Sequence, residues 1–153
     1  MFSPTHGEVS DKEMTALIKT FIMNSSSSDY HITVGTDSMN FKYTKVVKVV
    51  AIERVGHGGI FFYEIEHIKI MRDIRSKLYY ETQTSLDLAL RVTEALIDID
   101  VNFAITIHVD AGYNGPTKQL IQEISGWVKA CGFDVKMKPD SYAASSIADR
   151  ISK

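Results

Sequence analysis

Tyr30-His31-Ile32-Thr33-Val34-Gly35-Thr36-Asp37 and Phe103-Ala104-Ile105-Thr106-Ile107-His108-Val109-Asp110 are two apolar runs that each end on an aspartate. Strand alternation puts His31, Thr33, Gly35 and Asp37 on one face of the first run, with Ile32 and Val34 on the other. The second run repeats the pattern, with Thr106, His108 and Asp110 opposite Ile105, Ile107 and Val109. A carboxylate at the end of a buried strand is costly unless positive charge meets it. Asp37 alone would read as a cap on the turn at Ser38-Met39-Asn40. Its repetition at Asp110 points instead to a shared site, and a hard divalent cation is the partner that carboxylate oxygens suit.

The remaining elements fall around these two strands. Ser10-Asp11-Lys12-Glu13 is a capping-box pattern that opens a helix running to about Met23, followed by a short link at Ser25 to Ser28. Strands are expected over about 30–38, 44–54 and 59–70, the last two joined at the Gly56-His57-Gly58-Gly59 hairpin. That turn lacks the Gly-Lys-Ser/Thr ending of a phosphate loop. A long helix over about 74–99 follows, then a strand over 103–110. Next comes a helix begun by Pro116 with the stripe Leu120, Ile121, Ile124, Val128 and Cys131. Phe133 to Met137 reads as a fifth strand, and a last helix starts near Ser141. Three hairpin-linked strands followed by helix-linked ones predict an α/β fold with a mixed five-stranded sheet and helices on both faces. In such sheets, sites gather at the carboxyl ends of adjacent parallel strands.

Two further acids extend the site. Steps of four and three from Glu81 reach Ser85, Leu88, Val92, Leu96 and Ile99, so this glutamate sits on the stripe facing the core. The plainer readings are a first-turn glutamate held by the helix dipole, or a partner for Arg72 or Arg75. Asp87, Arg91, Glu94 and Asp98 form a separate polar face. Asp149 shares a helical face with Tyr142, Ser145 and Ser146, and is the weakest of the four, since an aspartate so near the C-terminus is usually just solvated. His108 adjoins the site face, either holding a phosphate or water or hydrogen-bonded in the core. His57 and His67 show no zinc spacing, and Trp127 reads as core.

With 153 residues, the chain reads as one domain, 1–153, with 1–28 as an N-terminal helix and serine-rich link. Its 44% hydrophobic and 24% charged residues describe an ordinary globular composition. No segment has the apolar length of a membrane span or the layout of a signal peptide. The lone Cys131 excludes an internal disulfide and reads as a buried helix end, so a reducing cytoplasmic setting is expected. A net charge of −2 supplies no global pull on nucleic acid and counts against a tight duplex binder. Locally, Lys42, Lys45, Lys48, Arg54, Lys69, Arg72, Arg75 and Lys77 crowd between Asp37 and Glu81. They read either as a strip that tracks a phosphate backbone or as lysine-protected strand edges.

Gly35-Thr36-Asp37-Ser38, Leu78-Tyr79-Tyr80-Glu81, His108-Val109-Asp110-Ala111-Gly112 and Ala143-Ala144-Ser145-Ser146-Ile147-Ala148-Asp149 together resemble the YkuK-type family of ribonuclease-H-like proteins. The resemblance runs from Tyr30 onward. It implies the sheet order 3-2-1-4-5 with strand 2 antiparallel, and two magnesium or manganese ions held by Asp37, Glu81, Asp110 and Asp149. It also implies a nuclease that cuts phosphodiester bonds in RNA, an RNA–DNA hybrid or structured DNA, with Ser38, His108 and Asn114 as candidate substrate contacts. Two alternatives stand beside it. One is a non-catalytic nucleic-acid-binding module of the same fold. The other is a nucleotide-phosphate binder, although Gly35-Thr36-Asp37-Ser38 lacks the glycine and threonine expected after the aspartate of actin-like ATPases.

Overall fold

The computed structural model describes residues 1–25, 27–112 and 118–138. In chain order the elements are β1 (Phe2–Ser3), β2 (Gly7–Glu8), α1 (Asp11–Met23), β3 (Tyr30–Asn40), β4 (Thr44–Arg54) and β5 (Gly59–Ile68). They continue with α2 (Ile74–Leu96), β6 (Phe103–Gly112), α3 (Ile121–Ala130) and β7 (Asp134–Lys138). The sheet has seven strands in the order β2-β1-β5-β4-β3-β6-β7. This corrects the five-stranded expectation: β2-β1 extend the order beyond β5, while the five expected strands keep the arrangement β5-β4-β3-β6-β7, with β4 antiparallel. The additional pair is a hairpin of two-residue strands docked on the edge of β5 through Phe2 and Tyr63. Strands that short carry no readable alternation. They exist because β5 presents an unpaired edge.

β4 runs antiparallel to both β3 and β5, whereas β6 runs parallel to β3 and β7 parallel to β6. The three described helices gather over one face of the sheet. Met14, Ile18 and Ile22 of α1, Leu78, Leu86, Val92 and Leu96 of α2, and Ile124 and Val128 of α3 join one core with Ile32, Val34, Val50, Ile52 and Ile107. Each such residue, fully buried, contributes roughly 1.5–3 kcal/mol. On the opposite face Val47 and Val49 form a separate small cluster with Met39, Phe61 and Tyr63. The helix expected from near Ser141 lies outside the described residues.

Local sequence explains the element ends. Ser10 Oγ accepts from the Glu13 amide at 3.1 Å while the Glu13 carboxylate accepts from the Ser10 amide at 3.3 Å, completing the capping box. Asp73 caps α2 by accepting from the Ser76 amide at 2.9 Å. At the β4–β5 hairpin, a Cβ on Gly59 would stand 2.3 Å from the Ile52 carbonyl oxygen, so the close strand approach there requires glycine.

The basic stretch between Asp37 and Glu81 does not form one strip. Arg54 is spent on the fold: its guanidinium lies 4.4 Å from the Phe21 ring centre and donates to the Phe21 carbonyl and the Tyr30 hydroxyl, pinning α1 to the sheet. Lys48 faces the helices and pairs with Glu64 at 2.6 Å and Glu66 at 3.6 Å. Arg75 pairs with Glu123 on α3. Lys42, Lys69 and Arg72 are the exposed remainder, with Lys45 and Lys77 half-buried. Cys131 is exposed, correcting its expected burial. The buried stripe of α3 ends at Val128, and Gly132, at φ 91°, turns the chain immediately after the cap.

Candidate active site

The parallel ladder between β3 and β6 runs from Tyr30 paired with Phe103 to Gly35 paired with His108. Two residues beyond that last pair on each strand stand Asp37 and Asp110. The pairing of β6 with β7 is also irregular between His108 and Gly112. The sheet therefore loosens at the end where both aspartates lie. On β3, Thr36 and Ser38 turn toward α2, and Asp37 belongs to the other face, with Gly35 and Thr33.

α2 closes this opening. Thr36 and Ser85 share a buried hydroxyl–hydroxyl hydrogen bond of 2.8 Å. One turn earlier, Ser38 Oγ donates to Glu81 Oε1 at 2.7 Å. Glu81 is 8% exposed and lies well inside a helix that starts at Ile74, which removes the first-turn reading. Arg75 is engaged with Glu123. Glu81 thus points into the core as its stripe predicted, beside Ser85, Leu88, Val92 and Leu96.

Burial first, and then the charges of Asp37 and Asp110, push the Glu81 carboxyl up to about 8 against the pull of the Ser38 hydrogen bond. Lys77, one helical turn before Glu81, opposes them weakly. Glu81 and Asp110 line a common cleft with Ser38, Ile74, Lys77 and Leu78. Asp37 also accepts the Ser38 amide at 3.0 Å, so Ser38 links two acids, one through its backbone and one through its hydroxyl.

Among the described residues, no three His, Cys, Asp or Glu side chains form a group that would hold a metal ion. Two carboxylates about 5 Å apart repel by roughly 3 kcal/mol at an effective dielectric near 20, so acids without a cation have no reason to close up. The donor set nevertheless has the chemistry of a hard-cation site. Its acids offer carboxylate oxygens, one of them held in an environment that added positive charge or a proton relieves.

The other expected contacts divide. His108 is 6% exposed, and burial, aided by the Lys136 ammonium, brings it down to about 4. It is therefore a neutral imidazole near pH 7, and any contact to a phosphate would be uncharged. Ser38 is in the site, engaged with Glu81. Asn114 and Asp149 lie outside the described residues. Lys77 is the neighbour that sequence reading left inside the general basic stretch. Its position four residues before Glu81 was the available signal.

An acid on β3, a second on its parallel neighbour β6 and a third from α2 between them thus act on one another at one end of the sheet. A family model described as ribonuclease H-like matches residues 13–153. The chain belongs to the ribonuclease H-like family. It is also 28% identical to "Uncharacterized protein YkuK" of Bacillus subtilis (strain 168), an alignment that covers 99% of this chain and 96% of the relative. No solved structure matches it. Within this ribonuclease H-like chain the YkuK resemblance therefore extends beyond the four short motifs to nearly the full length.

Proposed function

We propose that the chain is a divalent-metal-dependent nuclease that hydrolyses phosphodiester bonds in RNA, an RNA–DNA hybrid or structured DNA. The observation that carries the reading is Glu81, a carboxylate buried in the helix side of the sheet and raised to about 8 by burial and by Asp37 and Asp110. A structural role would leave such a group replaceable by any apolar residue of the stripe. A ligand role requires it. Membership of the ribonuclease H-like family supports the same reading.

Asp37, Glu81, Asp110 and, from the sequence, Asp149 would hold magnesium or manganese. When bound, two such ions activate a water and stabilise the leaving oxygen of an in-line displacement. The chain's own part is positioning. Ser38 fixes one oxygen of Glu81 and, through its amide, one of Asp37. Thr36 and Ser85 tie β3 to α2 one turn deeper, so the acids of strand and helix keep their relative placement. Small errors matter here, because a displacement of about 1 Å can cost ~10²-fold in rate. Lys77 brings positive charge to the lining of the cleft.

The test is cleavage of labelled RNA, DNA and hybrid substrates with magnesium, with manganese and with EDTA. Metal-dependent cutting is expected, and equal cutting in EDTA would refute the mechanism. Membership of the ribonuclease H-like family equally suits one second reading, a nucleic-acid-binding module without catalysis. Binding with no cleavage of any substrate at saturating metal would establish it.

A further inference from the structure

The β3–β4 hairpin carries an aromatic tip that the acidic site does not use. Phe41 is 56% and Tyr43 40% exposed, unusual for rings that have an adjacent core available. Their centroids lie 5.9 Å apart, and Tyr43 continues to the exposed His67 of β5 at 4.5 Å. The three rings form one ribbon across the end of the sheet. Cations flank it: Lys42 sits between the two hairpin rings, Lys69 follows His67 by two residues, and Lys45 pairs across the strands with His67. The acids of β5, Glu64 and Glu66, turn to the helix side, where both pair with Lys48.

The tip is braced. Thr44 Oγ1 donates to Asn40 Oδ1 at 2.8 Å and accepts the Met71 amide at 2.8 Å, while Asn40 Nδ2 donates to the Met71 carbonyl at 2.9 Å. These bonds lock both strand ends of the hairpin to the segment that carries Lys69. A surface fixed before binding loses less entropy on binding.

We propose that this ribbon is a stacking platform for single-stranded nucleic acid that feeds the acidic site, a proposal that rests on the nuclease reading for the site itself. Exposed rings flanked by lysines fit unpaired bases and their phosphates, and stacking accepts every base. A duplex hides its base faces from such rings, and the net charge of −2 gives it little compensating pull. The platform also points the right way. From Tyr43 to Val47, the residue paired with Asp37, is four residues along β4, and Asp37 is one strand further over. At about 3.3 Å per residue and about 4.8 Å between strands, that path is roughly 14 Å, within reach of a short oligonucleotide.

The experiment is fluorescence anisotropy in EDTA with labelled oligo-dT and oligo-U of about 12 nucleotides, and a duplex of the same length. Binding of either single strand more tightly than the duplex is expected. Phe41→Ala/Tyr43→Ala should weaken it at least about thirtyfold, because each of the two stacked bases contributes ~1–3 kcal/mol. Tyr43→Phe, which keeps the ring, should bind as wild type, and Lys42→Ala/Lys69→Ala should flatten the salt dependence by about 0.7 per lysine in log–log slope. Unchanged affinity of the ring-less variant, preference for duplex, or no single-strand binding by the wild type overturns the platform. If the double alanine variant melts early, the lysine pair and Tyr43→Phe still decide. Platform and nuclease fail separately. Wild-type binding without cleavage at any metal concentration sinks the nuclease alone. Cleavage whose KM is indifferent to the rings sinks the platform alone.

Discussion

Replacing Glu81 by glutamine should raise the stability of the metal-free protein at neutral and alkaline pH and leave it unchanged in acid. Glutamine keeps the shape and the oxygen that accepts from Ser38 Oγ, and it removes only the titration. The ordinary carboxyl titrates at 4.5 and the folded one at about 8, so between those values the folded wild type holds a proton that the unfolded chain has released. Wild-type stability is then greatest below 4.5 and is lost as pH rises toward 8, at about 1.4 kcal/mol per pH unit. At pH 7 the deficit relative to Glu81→Gln is about 3 kcal/mol. For a chain of this size, ~1 kcal/mol moves Tm by roughly 2–4 °C, which makes the difference about 6–12 °C. The assay is thermal melting by circular dichroism in EDTA from pH 4 to pH 9, with both proteins in the same buffers. Magnesium should then reverse the ranking at pH 8, because only the wild type gains from a ligand that binds the folded state. A difference that is flat with pH, or a glutamine variant that melts lower at pH 8, would refute the raised titration of Glu81 by burial and by the neighbouring carboxylates.

Asp110→Asn should abolish metal-dependent cleavage while melting in EDTA at or above the wild-type temperature; a much lower melt would make Asp110 structural instead. Ser38→Ala takes the donor from Glu81 Oε1 and should cost ~1.5–3 kcal/mol at pH 9, where the carboxylate is mostly charged, and less at pH 5, read by the same melting series. Arg54→Ala should destabilise by about 2–3 kcal/mol and raise amide exchange in α1 first, since Arg54 holds the Phe21 carbonyl and ring against the sheet. Gly59→Ala should cost on the order of 1–3 kcal/mol in urea unfolding, because its Cβ would press on the Ile52 carbonyl.

Short-range pattern carried much of this protein in advance. Alternation along the first run put Asp37 on the face of Thr33 and Gly35, although β3 and β6 continue past Asp37 and Asp110 to Asn40 and Gly112; the spacing Glu81, Ser85, Leu88, Val92 and Leu96 set a glutamate on a buried stripe, and Ser10 with Glu13 marked a helix start. Those properties depend on neighbours a few residues apart, so a linear reading reaches them. The rest depended on pairings between distant segments. The Phe2–Ser3 strand exists only against Tyr63, and the eight-cation stretch separated because Lys48 met Glu64 and Arg75 met Glu123, contacts that no local period encodes. His108 was legible as a site-face residue, but its loss of charge required burial and Lys136 from the neighbouring strand. Likewise, residue order alone made Glu81 an inward acid. Only the fold brought it to Ser38, Asp37 and Asp110, because a carboxylate's protonation is set by the charges and solvent around it in space, not by its position along the chain.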